Sequence, residues 1–170
     1  MTIALRQLRP DDWEAFRAVR LAALADAPGN FFASLAEAQA LPDPWWRTLL
    51  TKQRTALFGA FAHEEGSDRL VGITGAFTDR DDPTGRTAAF GMTWLAPGHR
   101  GQGIGHRFYQ VRLDWARTQG FARVEVSHRG SNEPSRRAML AAGFRHVATR
   151  RHCWPDGAEE DDLLYELRLD

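Results

Sequence analysis

Cysteine is nearly absent from this sequence of 170 residues, which contains only Cys153. A disulfide within the chain and a metal cluster built on cysteines are therefore excluded. His152 and Trp154 beside it are typical of a strand, so we interpret the thiol as structural. Long apolar runs are also missing, because no segment approaches the roughly eighteen apolar residues of a membrane span. We expect a cytoplasmic protein with no membrane partner.

The sequence also lacks an excess of charge of either sign, an internal repeat and a low-complexity tract. Lysine plus arginine and aspartate plus glutamate both total 22, so no overall field favours a nucleic acid. The length is close to the roughly 150 residues of one domain, and the 43% of hydrophobic residues can build a core. We predict a single domain over residues 1–170, whose partners must be inferred from local sites.

Glycine is concentrated in one loop, which reads Arg-Gly-Gln-Gly-Ile-Gly-His over residues 100–106. Glycines leave out the side chains that would keep a ligand from the backbone, and they permit the φ values that direct successive N–H groups to one point. An apolar, strand-like segment over residues 89–95 precedes the loop. A helix that begins at Ile104 adds unpaired N–H groups and the positive end of its dipole. The loop is therefore predicted to hold a phosphate group.

That helix is predicted from a stripe of apolar residues at helical spacing. The stripe consists of Ile104, Phe108, Val111 and Trp115. The other face is expected to be in water, and its members are Arg107, Arg112, Asp114 and Arg117. Gly120 supplies a stop after Gln119.

Two familiar phosphate-binding motifs do not fit this loop. A Walker-type loop needs a lysine and then a serine or threonine after its last glycine, but His106 and Arg107 follow Gly105. A dinucleotide fingerprint that starts at Gly101 would need glycine or alanine where His106 stands. Other phosphate-binding folds must therefore be considered.

The rest of the chain alternates between strand and helix patterns. Strands are predicted over residues 3–8, 55–63, 69–78, 123–126, 145–154 and 163–169. Helices are predicted from Asp11 or Asp12 to Pro28, from Asp43 to Leu50, and before Gly143. The segment 64–68 reads as a hairpin loop, and the stretch 30–42 is left unassigned.

Two signatures occur along the chain in a specific order. In the first, Arg100, Gly103 and Gly105 match the pattern Q/R-x-x-G-x-G/A. In the second, Asn132 stands at a strand-to-helix turn, and a Gly-Phe pair at 143–144 follows a short helix. Over roughly residues 87–169, the sequence resembles the GNAT family of acetyl-CoA-dependent N-acetyltransferases. The resemblance implies an α/β (α+β) fold, in which a central mixed, mostly antiparallel sheet with splayed middle strands is flanked by about four helices.

The resemblance also implies a site for acetyl-CoA between two central strands, which would end near Leu95 and Val126. The backbone of Leu95 would pair with the pantetheine arm, the N–H groups of residues 101–106 would hold the pyrophosphate, and Asn132 would contact the arm. The implied cofactor-binding residues are Leu95, Arg100, Gly101, Gln102, Gly103, Ile104, Gly105, His106, Asn132 and Ser135. No metal is implied.

At two positions the sequence departs from the family pattern for acid–base catalysis. Met139 stands where many members have a tyrosine that protonates the departing thiolate, and a thioether cannot donate a proton. Ser127 stands where some members have a glutamate base. The candidate catalytic residues are therefore His128, because histidine is a common general base, Glu125, and Ser127 itself.

The expected activity is transfer of an acetyl group from acetyl-CoA to a primary amine of a small molecule or peptide, by direct attack in a ternary complex. Phe31 and Glu37 lie in a stretch that varies with the substrate in the family, and a glutamate there would attract an amine. The alternative is a catalytically silent acyl-CoA-binding module, which the missing tyrosine and glutamate favour. Neither interpretation involves a nucleic acid or a metal, and both are compatible with a homodimer.

Overall fold

The computed structural model describes residues 2–64 and 66–170, so Met1 and Glu65 of the predicted hairpin loop lie outside the described residues. The strands are β1 (Thr2–Gln7), β2 (Thr55–Glu64), β3 (Ser67–Thr78), β4 (Thr87–Leu95), β5 (Arg123–Arg129), β6 (Arg145–Cys153) and β7 (Glu159–Arg168). The α-helices are α1 (Trp13–Asp26), α2 (Leu35–Gln39), α3 (Asp43–Thr51), α4 (Ile104–Thr118) and α5 (Glu133–Ala141). None of these helices is long and apolar enough to cross a membrane.

The strands form one mixed sheet in the order β1-β2-β3-β4-β5-β7-β6. All neighbours are antiparallel except β4 and β5, which are parallel. These two strands pair only from Thr87 opposite Arg123 to Ala89 opposite Glu125. Beyond that point both continue without pairing to each other, so the middle of the sheet is splayed. The predicted fold class is confirmed.

Helices cover both faces of the sheet. On one face, Phe16 of α1 and Trp46 of α3 share a core with Phe61 of β2. On the other face, Ile104 and Phe108 of α4 pack against alanines of β2. Because both of its faces are covered, β2 has an almost continuous buried sequence rather than an alternating one.

Three differences from the predicted elements are larger than one or two residues. The strand predicted to end near Val126 continues to Arg129, because β5 pairs with β7 over its whole length. The strand predicted to start at Leu163 starts at Glu159, so the four acidic residues 159–162 are part of β7. The unassigned stretch 30–42 contains α2, which the Ser34 side chain caps.

The prediction for the faces of α4 is wrong at Arg112, which is 1% exposed rather than in water. Val111 and Trp115 are only partly buried. The buried residues of α4 are Ile104, Phe108, Tyr109, Arg112, Leu113 and Ala116. They form a wide stripe because the helix contacts three strands, β2 to β4.

Candidate functional site

The glycine loop between β4 and α4 is exposed and has no packing reason for its glycines. Gly101 and Gly103 have φ angles of 74° and 76°, in the left-handed region that disfavours residues with a Cβ atom. Gly105 is the second residue of α4 and has no such φ angle. A Cβ atom on any of the three would meet no heavy atom within 4 Å. Neither strain nor packing within the protein accounts for glycine at position 105.

The backbone N–H groups of residues 101–106 find no hydrogen-bond acceptor among residues 2–64 and 66–170. The first hydrogen bond that α4 closes runs from the N–H of Arg107 to the carbonyl of Gly103, at 3.3 Å. Gly103 is also the N-cap, and no side chain caps the helix there. The loop therefore presents free donors at the positive end of a helix of 15 residues, which suits an anion.

The side chain of Arg100, the first residue of the loop signature, is hydrogen-bonded to other residues of the protein. Its Nε donates to the Leu95 carbonyl at 2.8 Å, and its Nη2 donates to the Asp26 carboxylate at 2.6 Å. The Trp94 indole donates to the same carboxylate at 2.9 Å. The bonds from Trp94 and Arg100 lower the pKa of Asp26. Arg100 thus ties the loop to the end of α1, and its side chain has a positioning role.

Asn132, from the second signature, stands at the start of α5. Its side-chain oxygen accepts a hydrogen bond from the N–H of Ser135 at 3.3 Å, which caps the helix. Two residues separate it from the end of β5 at Arg129. The helix therefore begins beside the splayed strand, where the resemblance implies the arm of acetyl-CoA.

The free part of β4 is irregular. Its pairing with β3 shifts register between Ile73 and Gly75, and Met92 opposite this bulge has a φ angle of 56°. A non-glycine residue rarely adopts this conformation, and bulges are concentrated near active sites. The irregular backbone lies beyond Ala89, on the strand whose open edge faces the splay.

The three candidate catalytic residues lie on different faces of β5. Burial alternates along the strand, so that Glu125 and Ser127 share one face and His128 lies on the other with the valines. His128 is 4% exposed, its Nδ1 is 2.7 Å from the Arg129 carbonyl, and its ring packs on Tyr165. Met139 is also buried, in the core under α4 and α5. The structure therefore brings Glu125 and Ser127 together and separates His128 from them.

Glu125 and Ser127 line a cavity of about 300 Å³, which we name the acidic cleft. Its carboxylates are Asp79, Asp81, Glu125 and Asp162. A single guanidinium, that of Arg150, lines it as well, together with the Phe32 ring. The cleft lies at the separation of β4 and β5, because Ala89 and Phe90 form its wall.

The environment of Glu125 raises the pKa of its carboxyl group, first through burial and then through the nearby charge of Asp79. The Nε of Arg123 lies 3.9 Å from the carboxylate and acts in the opposite direction. A raised pKa brings a carboxylate closer to the operating pH, which favours a general base. Glu125 is the titratable candidate that faces the cleft.

Arg129 ties together two segments next to the cleft. Its guanidinium donates to the Gly29 carbonyl at 3.0 Å, to Asp156 at 2.6 Å and to Glu160 at 2.5 Å. The hydrogen bonds that it donates to Asp156 and then to Glu160 raise the pKa of Arg129. The segment between α1 and α2 is thereby joined to the β6–β7 turn, where Phe32 stacks on the Trp154 ring at 5.2 Å. We name this group the Arg129 clamp.

The two predicted substrate residues lie elsewhere. Phe31 packs into the core beside α1, with the Arg20 guanidinium 4.5 Å from its ring centre. Glu37 caps α2, because its carboxylate accepts from the N–H of Ser34 at 2.8 Å. These bonds from Ser34 lower its pKa. The neighbouring Phe32 is the aromatic residue of this stretch that lines the cleft.

Arg112 is fully buried beneath the free part of β4. It donates to the Phe108 carbonyl at 3.1 Å and to the Thr93 hydroxyl at 3.2 Å, and it lies over the Phe90 and Tyr109 rings at 4.4 and 4.5 Å. Its second terminal nitrogen has no partner among residues 2–64 and 66–170. Burial lowers the pKa of Arg112 to about 10.

Sequence reasoning missed the Arg129 clamp, Phe32 and most of the carboxylates of the cleft. A sequence signal for one of these carboxylates was the acidic run over residues 159–162, which contains Asp162. In the part of the chain that the structure describes, no group of three His, Cys, Asp or Glu side chains is arranged to hold a metal ion.

Known proteins share this fold. Residues 2–145 match the family model described as Acetyltransferase (GNAT) domain. The chain is similar to N-acetyltransferase 8F1 of Rattus norvegicus, with 29% identity over 103 residues, which is 59% of this chain. The match spans 46% of that relative, about half of its length.

Solved structures agree in fold at low sequence identity. An N-acetyltransferase from Staphylococcus aureus Mu50 superposes with a TM-score of 0.80 and 20% identity, covering 100% of both chains. The putative acetyltransferase YncA from Salmonella typhimurium, solved with its cofactor acetyl-CoA, has a TM-score of 0.82 and 16% identity, covering 100% of this chain and 95% of that one. A putative phosphinothricin N-acetyltransferase has a TM-score of 0.75 and 20% identity, covering 99% of each chain.

Proposed function

This chain belongs to the GNAT acetyltransferase family, and we propose that it transfers an acetyl group from acetyl-CoA directly to a primary amine of a small molecule or peptide. The observation that carries the proposal is the exposed glycine loop, whose donors are unpaired and whose Gly105 has no structural explanation. The loop follows the end of β4, and the same strand borders the acidic cleft at Ala89 and Phe90. A site for a phosphorylated cosubstrate and a site for a cation thus meet at one gap in the sheet.

The residues of this chain suit acetyl-CoA in two ways. The N–H groups of residues 101–106 would hold the pyrophosphate, and the free edge of β4 up to Leu95 would pair with the pantetheine arm. Asn132 and Ser135 would border the arm from the start of α5. Bound acetyl-CoA supplies the activated acetyl group, while the chain supplies position and proton transfer. No metal has a role in the proposal, and a homodimer and a cytoplasmic location stay predictions.

Glu125 is proposed as the group that accepts the proton of the substrate ammonium. An alkyl amine with a pKa near about 10.4 is protonated at neutrality and must lose a proton before it can attack. Glu125 faces the cleft, and its pKa is raised by burial. His128 is buried on the opposite face of β5, so it is the weaker candidate for the base. Ser127 borders the same cleft and can accept a hydrogen bond from the amine.

The alternative is a silent acyl-CoA-binding module. It is favoured by Met139, which is 1% exposed in the core and leaves the usual proton donor of the thiolate without a replacement on α5. Two experiments separate the functions. Thermal unfolding with acetyl-CoA tests binding, and release of the coenzyme A thiol with a panel of amines tests transfer. An enzyme shows both effects, whereas a silent module shows stabilisation without amine-dependent thiol release.

A charge at the glycine loop provides the control for binding. Gly103→Glu puts bulk and negative charge beside the unpaired donors, so we expect the acetyl-CoA stabilisation to disappear. Gly103→Ala shares the left-handed φ angle of 76° but adds no charge, which makes it the matched variant for backbone strain. A folded Gly103→Glu protein that acetyl-CoA still stabilises as it does the wild type would refute the assignment of the loop.

A further inference from the structure

The acidic cleft contains a carboxylate that the protein leaves unsatisfied. Asp162 on β7 lines the cleft and is 8% exposed, and its Oδ1 has no hydrogen-bond partner among residues 2–64 and 66–170. Its neighbours across the sheet are Arg129 and Arg150. Arg129 is committed to Asp156 and Glu160, and Arg150 forms no ion pair with Asp162. A buried carboxylate oxygen without a donor is costly, so its presence points to a ligand.

The carboxylates of the cleft are spread along β5 rather than gathered at one point. Asp162 is opposite Arg129, four residues from Glu125 along the strand, which corresponds to about 13 Å. Asp79 lies towards the start of β5, because its N–H donates to the carbonyl of Thr87, the residue of β4 that is opposite Arg123. Negative charge is therefore available on both sides of the point where β4 and β5 separate.

The charges of the cleft do not cancel. Four carboxylates face one guanidinium, that of Arg150. Among the residues that the structure describes, only Glu125 of the four has an ion pair, a weak one with Arg123 at 3.9 Å. Between the charged positions, the wall is apolar at Phe90 and Leu164, and it suits methylene groups. The complementary occupant is long, aliphatic and positively charged at more than one place.

We infer that the acetyl acceptor is an aliphatic diamine or linear polyamine, with the reacting amine beside Glu125 and a second ammonium held by Asp162. This inference rests on the proposed function, because it concerns the acceptor of that transfer. An ammonium at Asp162 donates to the unpaired Oδ1 and neutralises its charge. Asp162 is therefore a specificity residue, and it takes no part in the proton transfer.

The test measures kcat/KM of thiol release for α,ω-diamines and for monoamines of equal carbon number. We expect the wild type to prefer diamines by at least about tenfold, and we expect Asp162→Asn to remove most of this preference by lowering kcat/KM for diamines far more than for monoamines. Asp161→Asn is the matched control, because Asp161 is next to it on β7 but pairs with the exposed Arg151. In this control the preference should be unchanged.

Several outcomes overturn the inference. A wild type that uses monoamines or peptide N-termini as well as diamines refutes it, as does an Asp162→Asn enzyme with an unchanged preference. If Asp162→Asn does not fold, the salt dependence of the wild type provides the test, because salt screens the attraction between the second ammonium and the carboxylates and must weaken the diamine preference. A preference that persists unchanged in high salt contradicts the inference. Absence of thiol release with every amine instead refutes the proposed transfer, and the inference falls with it.

Discussion

Gly105→Ala is expected to move stability and cofactor affinity in opposite directions. Gly105 is in α4, without a left-handed φ angle, and an added Cβ atom would meet no heavy atom within 4 Å. Alanine in a helix is more favourable than glycine by about 0.5–1 kcal/mol. For a chain of this size, about 1 kcal/mol raises Tm by roughly 2–4 °C. Without ligand, the variant should therefore be more stable than the wild type.

Acetyl-CoA reverses this order if the N–H groups of the loop surround its pyrophosphate. At a ligand concentration of about 100 Kd, the wild type gains about 2.7 kcal/mol. A methyl group that weakens binding tenfold reduces this gain to about 1.4 kcal/mol. The variant then begins about 0.5–1 kcal/mol above the wild type and ends below it. Thermal unfolding with and without acetyl-CoA, together with calorimetric titration, measures both effects.

Two neighbouring glycines serve as controls. Gly103→Ala adds the same methyl group at a φ angle of 76°, so the protein without ligand should lose about 1–2 kcal/mol. Gly98→Ala also adds a methyl group in open space, but it lies before the unpaired donors, so acetyl-CoA affinity should be unchanged. A Gly105→Ala protein that binds acetyl-CoA as tightly as the wild type would show that this glycine is not kept for the ligand.

Three further predictions concern the charged side chains. If Glu125 is the base, kcat/KM falls as the pH is lowered through a pKa above the usual value of 4.5. Glu125→Gln should then abolish this pH dependence and lower kcat/KM by a factor of about 10²–10⁴. A variant with the wild-type pH profile contradicts this role. Arg129→Ala, which breaks the Arg129 clamp, should lower Tm and raise KM for the amine, and acetyl-CoA affinity should stay the same. Arg151→Ala removes an exposed arginine of β6 and should change neither Tm nor KM. Equal effects of the two substitutions would refute the role of the clamp. Arg112→Met should change stability at pH 7 by less than about 1 kcal/mol, because about 3 kcal/mol of burial cost for the charge is offset by two hydrogen bonds of about 1 kcal/mol each and by the stacking of the guanidinium on Phe90 and Tyr109. Burial lowers the pKa of Arg112 to about 10, well below the usual value of an arginine, so between these two values the unfolded chain binds more protons than the folded one. Wild-type stability should therefore rise with pH in that window, and this rise should be missing in the variant.

Local features of the sequence were sufficient for much of the fold and for the glycine loop. A left-handed glycine at position 103, the stop of β4 before Pro97 and the cap at Asn132 each depend on a few neighbouring residues. The same holds for the strands, because apolar runs with turns between them leave few other structures that bury the same side chains. These features could be predicted because the interactions that stabilise them are between residues close together in the sequence.

The surroundings of the titratable side chains depended on contacts between distant residues. Arg112 has the charge of a surface residue, yet it is buried because Phe90 and Tyr109 stack on its guanidinium. Arg129 reaches Gly29 across 100 positions of sequence, and Phe32 rather than Phe31 turns to the cleft as a result of packing around α1. The sequence by itself determined the order of the elements along the chain and the place of the glycine loop. Only the tertiary structure decided which carboxylates share a cleft. The alternation along β5 tells which residues share a face, but the elements that pack against each face decide whether it lines a cleft or the core.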